Sequence, residues 1–286
     1  LLRNKYVTQI NGLDAIVENP NPKQQINTAY SSYSVVNQML YRLGEHVDLS
    51  YNFTYSNTNN IPRYDRLIQE SDGELKYAEW YYGPELRTLV SYQLINNLKQ
   101  KYADKYKLIL AYQYIEESRN DRNWQSLYLN KRHEYIHVAS LNLEAVKTLK
   151  QNFKSIHEIR YGIDVQYNEV ASNAHDVNII SGLISRIPTR YPEGGSSMVY
   201  MAAFLSHSWE IGKKFIISDG LRYNFVSLNS TFNNLFFFPF LNNKLIQNNH
   251  ALNGNIGLVY NPIKNLKLYT NVSSAFRAPN LDDVNK

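Results

Sequence analysis

The chain has 286 residues, 43% of them hydrophobic, a formal charge of +5 at pH 7 and no cysteine. No stretch approaches the roughly 18 consecutive apolar residues of a membrane helix, so a helical membrane protein is excluded. Without cysteine there is neither a disulfide nor a thiolate metal site, and the charge is spread without the like-charge block of a nucleic-acid arm.

The aromatic content points elsewhere, with 24 Tyr, 11 Phe and 3 Trp. Membrane β-barrels gather such rings at both lipid–water interfaces. Strict alternation is the dominant pattern. Val47, Leu49, Tyr51, Phe53 and Tyr55 share one face, with Asp48, Ser50, Asn52, Thr54 and Ser56 on the other. Ile159, Tyr161, Ile163, Val165 and Tyr167 oppose Glu158, Arg160, Gly162, Asp164, Gln166 and Asn168 in the same way, and Leu266, Leu268, Thr270 and Val272 oppose Lys267, Tyr269, Asn271 and Ser273. Charged groups in mid-strand suit a wet or plugged lumen better than a dry sandwich interior.

Alternation predicts about ten strands, at 27–42, 46–57, 85–99, 105–117, 131–147, 152–171, 197–210, 214–231, 249–261 and 265–275. Short turns are expected at 43–45, 101–104, 148–150, 211–213 and 261–264, and long loops at 58–84, 118–130, 172–196 and 232–248. Short turns on one side and long loops on the other mark a bacterial outer-membrane barrel, with the long loops outside the cell. The fold expected is an all-β, transmembrane antiparallel barrel. The chain opens on Leu1-Leu2-Arg3-Asn4 and closes just after a motif at Asp282-Asp283, which reads as a piece of a longer protein.

That motif, Phe276-Arg277-Ala278-Pro279-Asn280-Leu281, resembles a box of TonB-dependent receptors that ends a strand and enters an extracellular loop. Proline cannot donate to the ladder and so stops its pairing. Asp219-Gly220-Leu221-Arg222-Tyr223, Leu252 to Tyr260 and Tyr161-Gly162-Ile163-Asp164-Val165 resemble strand phrases of the same receptors. Ile61 to Leu67 and Thr189 to Ser197 resemble those of the haem- or haemoglobin-type branch. The resemblance covers essentially residues 1–286 and implies consecutive strands of a barrel of about 22, with the plug domain, its TonB-coupling box and the last strands missing. It implies TonB-energised uptake of haem, a ferric siderophore or cobalamin across the outer membrane of a Gram-negative bacterium. TonB, lipid and lipopolysaccharide, and a small-molecule or haemoprotein ligand would be its partners. No intrinsic cofactor is implied; haem or a ferric chelate would be cargo.

Ligand contacts are expected on the long loops, at Arg63, Tyr64, Arg66, Trp80, Tyr81, Arg190, Tyr191 and Phe237, the last within an apolar run at 235–240. The guanidinium fork matches carboxylate geometry, and Arg186 is a further candidate. Among seven histidines, only His175 is expected in a long loop; His133, His137, His157 and His250 fall on strands, His207 near the inner end of one and His46 at a turn. No histidine pair has metal-cage spacing. Two other readings compete. One is a small complete barrel acting as an outer-membrane protease or adhesin, hinted at only by Asp176 beside His175; the other is a soluble or surface-anchored β-protein that binds carbohydrate or protein.

Alternation puts Leu49 and Phe53 against lipid. Spin labels at these positions in the whole receptor should be quenched by oxygen; quenching by a water-soluble nickel reagent instead would reverse the faces.

Overall fold

The structure is a computed structural model that describes residues 2–152, 155–234, 236–237 and 242–283. In chain order the elements are β1 (Lys5–Ile10), β2 (Leu13–Glu18), β3 (Ser32–Arg42), β4 (Val47–Thr58), β5 (Ile61–Pro62), α1 (Tyr64–Leu67), β6 (Glu70–Ser71), β7 (Glu74–Leu75) and β8 (Tyr77–Tyr82). They continue with β9 (Leu86–Asn96), β10 (Lys105–Asn123), β11 (Tyr128–Asn152), β12 (Ser155–Asn178), β13 (Ile184–Arg186), β14 (Ser196–Ile211), β15 (Phe215–Thr231), β16 (Lys244–Ile263) and β17 (Leu266–Ser273).

Ten long strands form one antiparallel up-and-down sheet in the order β17-β16-β15-β14-β12-β11-β10-β9-β4-β3. Among the described residues β3 and β17 do not pair with each other, so this wall is open rather than a small closed barrel.

The register aligns like with like across the whole wall. One rung runs Tyr51, Tyr92, Leu110, Leu141, Val165, Met201, Phe225 and His250. The rung on the opposite face runs Ser50, Gln93, Ile109, Asn142, Asp164, Ala202, Asn224 and Ala251. The first face is apolar yet open, with Leu252 68%, Ile256 58% and Val272 69% exposed. Exposed apolar groups in a continuous band mark a surface made for a non-aqueous neighbour. The polar face is knitted together instead. Asn142 donates to Asp164, as does Arg222, which also donates from Nε to Asn224 Oδ1 at 2.9 Å. Arg87 Nη2 donates to Gln113 Oε1 at 2.6 Å. On this face a Cβ at Gly162 would collide with the Leu143 carbonyl oxygen first and then meet the Phe204 ring at 2.8 Å, so the glycine lets both the neighbouring strand and the ring approach.

Aromatic pairs edge the apolar band. Tyr112 Oη lies 2.7 Å from His137 Nδ1 and Tyr223 Oη 2.6 Å from His250 Nδ1. Phe215 stacks on Tyr260 with centroids 4.6 Å apart nearer the short turns.

The long loops differ from expectation. Residues 118–130 are mostly strand, because β10 and β11 stay paired up to Asp121 and Asn130, leaving only residues 124–127 as the turn. Residues 118–123 are polar on both faces, so alternation vanishes while the ladder continues. The turn expected at 148–150 lies inside β11, which pairs with β12 as far as Asn152 and Ser155. Within 172–196, β12 continues to Asn178 and carries β13, and β16 already begins at Lys244. The run 58–84 holds β5 to β8, and β8 extends the sheet beside β10 above the start of β9.

Ahead of the wall, β1 and β2 form a hairpin closed by Asn11 and Gly12, both at positive φ (52° and 79°), an Asn-Gly turn that twists with its strands. The hairpin docks through a buried ion pair: Arg122 Nη1 and Nη2 donate to Asp14 at 2.7 and 2.9 Å, with the two side chains 2% and 3% exposed. Arg122 Nε also donates to Glu79 Oε1 at 2.7 Å and Nη1 to the Ser126 carbonyl at 2.9 Å.

Removing one partner of such a pair leaves a buried charge and costs about 3–5 kcal/mol. Asp14→Ala should undock the hairpin and expose residues 5–18 to protease while the heat stability of the barrel stays unchanged. Equal protease resistance would show that Arg122 does not hold it.

Candidate functional site

The candidate site is the mouth of the wall, on the polar face at the long-connection end. Beyond the apolar band, Glu117, Glu134 and Ser172 stand side by side across β10, β11 and β12. Arg119 faces Tyr82 of β8 across the next ladder. Tyr82, Glu85, Glu117, Arg119, Glu134 and Arg190 line a cavity of about 220 Å³. Glu134 is 2% exposed, with Ser172 Oγ donating to it at 3.4 Å. Burial pushes the Glu134 carboxyl above its ordinary range, against the pull of Arg190 and Arg119. Burial, and then the neighbouring Glu117, do the same to Glu85.

Arg63 and Trp80 lie here but are occupied by the protein itself. Arg63 Nε and Nη2 grip the Asp65 carboxylate at 2.7 Å each, and Nη1 donates to Tyr82 Oη at 2.7 Å. Its guanidinium sits 5.4 Å from the Trp80 ring centre and 5.0 Å from that of Tyr82. Arg66 and Arg119 approach the same two rings, at 5.7 and 5.5 Å. Cation–π contacts of this kind hold a loop as well as they hold a ligand, and Trp80 is only 8% exposed. Tyr64 opens α1 beside them, and Arg66 keeps part of its head in solvent.

Alternation on β8 sorts the aromatics. Trp80 and Tyr82 pack edge to face at 5.0 Å, whereas Tyr81 turns to the other side of the strand, where burial pushes its hydroxyl up. Tyr82, together with Arg119, Glu117 and Glu134, is the contribution that the sequence reading lacks; period 2 across 79–82 is the signal for Tyr82. His175 lies on β12 rather than in a loop, on the face of the apolar band, with its ring parallel to His133 at 6.3 Å. It does not face the mouth.

Phe237 contacts Phe236 at 5.6 Å and lines a separate cavity of about 690 Å³ with Arg186, Thr189 and Glu193. The rest of the 235–240 run, residues 235 and 238–240, lies outside the described residues.

Arg190 and Tyr191 meet the 276–281 motif. Leu281 is buried in a cluster with Met198, Val226 and Leu228, against which Ala278 and Tyr191 pack. Next to it, Asp282 accepts from Tyr191 Oη at 3.0 Å and from Arg190 Nη2 at 3.4 Å. Arg277 Nη2 donates to both Asp283 oxygens at 2.9 and 2.7 Å, and the Asn280 and Asp283 backbone amides bond each other's side chains. The motif therefore folds back over the wall and pins the 189–195 segment at the mouth. Burial first, then Asp282, pushes the Tyr191 hydroxyl up to about 12. Among the described residues no three His, Asp or Glu side chains are grouped to hold a metal ion.

A wall that is greasy outside, polar inside and crowned by folded loops defines an outer-membrane-type barrel. The family model for the TonB dependent receptor-like beta-barrel matches residues 17–286, and the chain belongs to that family. Its fold is similar to the copper transporter OprC (TM-score 0.66, 10% identity, 90% of this chain and 38% of that one). It is also similar to the unliganded ferric citrate transporter FecA (0.64, 12%, 87% and 36%) and to the Serratia marcescens hemophore receptor HasR with its hemophore HasA and heme (0.64, 12%, 88% and 37%). The chain thus spans well under half the length of these receptors. No curated protein sequence matches it.

In the whole receptor, Asp282→Asn should lower the Tyr191 hydroxyl from about 12, read by the pH titration of its ring carbon resonance. Leu281→Ala, a buried truncation of about 2–5 kcal/mol, should raise amide exchange across 188–195. An unchanged titration and unchanged exchange would mean that the motif does not anchor this segment.

Proposed function

We propose that this chain is a wall sector of an outer-membrane importer for a bulky, scarce nutrient, a ferric chelate, haem or cobalamin, driven through TonB by the rest of the receptor. The observation that supports it is the pairing of an exposed apolar band with a polar, hydrogen-bonded inner face on one open sheet. That arrangement suits a large barrel holding something wet or folded inside. In this reading the protein carries its cargo without covalent chemistry, so it is a receptor and not an enzyme. It spans the outer membrane with its long connections outside the cell, among lipid and lipopolysaccharide.

Arg66 and Arg119 are the contacts proposed for an anionic cargo, beside the acidic Glu85, Glu117 and Glu134. Arg63, Trp80, Tyr82, Arg190 and Tyr191 shape the mouth instead, because their polar groups and rings are already engaged.

A strain deleted for the whole receptor should fail to grow on one of haem, haemoglobin, individual ferric siderophores or cobalamin as sole source. Arg119→Ala should reduce uptake of that source by about tenfold (about 1.4 kcal/mol) at equal surface expression. Normal growth of the deletion strain on every source would overturn the reading.

A further inference from the structure

Asp219 faces outward on β15 with Leu221, Tyr223 and Phe225, the side that meets lipid in the reading above, on which this inference rests. A carboxylate in that position is costly and marks a function by default. It is not isolated. Asp219 Oδ1 lies 3.0 Å from His207 Nδ1, and His207 Nε2 lies 2.9 Å from His157 Nδ1. The His157 ring stacks on Trp209 at 5.2 Å, Trp209 Nε1 donates to Ser155 Oγ at 2.9 Å, and Ser155 Oγ stands 3.5 Å from His157 Nε2. Three strands contribute, since His157 pairs with Trp209 and His207 with Asp219.

The chain of contacts has a direction. Asp219 and His207 sit further into the band, whereas Ser155 is the first residue of β12 and Trp209 lies two residues from the end of β14. With Asp219 ionised, His207 Nδ1 must carry a proton to donate to it. A further proton lies between His207 Nε2 and His157 Nδ1, which leaves His157 Nε2 as the free end of the chain. That nitrogen points to the Ser155 edge, at the level of a tryptophan that prefers the lipid–water interface. Lys213 and Lys214 are exposed in the adjoining turn, and Glu158 and Glu210 belong to the opposite face by alternation. The edge is thus rich in donors where the band ends, with two lysines beside it.

We propose that Ser155, His157 and Trp209 form a site for the phosphodiester headgroup of a phospholipid in the leaflet on the short-turn side, with Asp219 and His207 as positioning residues that orient the His157 ring. The phosphodiester takes the His157 Nε2–H and the Ser155 hydroxyl, and Lys213 and Lys214 add longer-range attraction.

The test uses the whole receptor, delipidated in detergent and titrated with phosphatidylglycerol under native mass spectrometry. The native protein should bind one lipid more tightly than His157→Gln and Asp219→Asn by about fivefold, the order of one surface cation's worth. Tyr112→Phe, at the far rim, should match the native protein. Phosphatidylglycerol should also move the His157 ring nitrogens to their imidazolium positions, and not in Asp219→Asn, a change that a merely structural role would not produce. Equal binding by all variants, or displacement of the lipid by an equal concentration of inorganic phosphate, overturns the proposal. If the whole receptor inserts into phosphatidylglycerol vesicles but shows no such selection, this inference alone falls. If it does not insert at all, the membrane reading falls with it.

Discussion

In hydrocarbon there is no water to satisfy an unpaired peptide group, so every backbone N–H and C=O of a membrane-crossing strand has to be bonded to a neighbour. The ladders from β3 to β17, irregular only near the short turns at Lys150–Asn152 and Tyr260–Ile263, answer that requirement strand by strand. They also fix everything else, because a period of two side chains per repeat leaves each strand one greasy and one wet face. A single-residue slip anywhere in the wall would exchange Val165 for Asp164 and bring charge to lipid across several strands. The long registers without interruption, 17 paired positions for β10 with β11 and 16 for β12 with β14, are what that penalty selects.

Above the lipid the same ladders persist with a different filling. Arg119, Glu117 and Glu134 continue the polar face without breaking register, and the extension becomes a support for loops. Two devices fix those loops, the Asp14–Arg122 pair on one side and the Leu281 anchor with Asp282 on the other. The mouth is therefore built from strand positions that continue upward and from loop segments tied to them. The receptor motif at 276–281 is understood in the same terms. The strand before it already stops at Ser273, its leucine fills a socket, and the aspartate just after it holds Tyr191.

Much of the wall was legible because lipid demands alternation. The runs at 47–56 and 158–168 stand out by hydrophobic contrast alone, and the ten strands and their order follow from counting them. The extension was not legible, since Ser118 to Asn123 have no contrast between faces once water lies on both sides. The β1–β2 hairpin did carry a signal, Asn11-Gly12, with too little alternation around it to draw attention. At the mouth, composition drew attention to Arg63, Trp80, Arg190 and Tyr191 without giving the orientation of any ring. Tyr81 and His175 point away because strand parity, not residue type, decides which side a ring occupies. Nor does a sequence reveal that Arg63 is already held by Asp65 and Tyr82, which shape the mouth in place of cargo.

If this open sheet is one sector of a closed wall, the outer edges of β3 and β17 are paired in the intact receptor. Amide hydrogen exchange of the whole receptor in a bilayer addresses it directly. Residues 33–41 and 267–272 should be as slow to exchange as the central strands β11 and β12. Fast exchange along those two edges, with slow exchange in between, would mean that the sheet ends there and that no closed barrel forms.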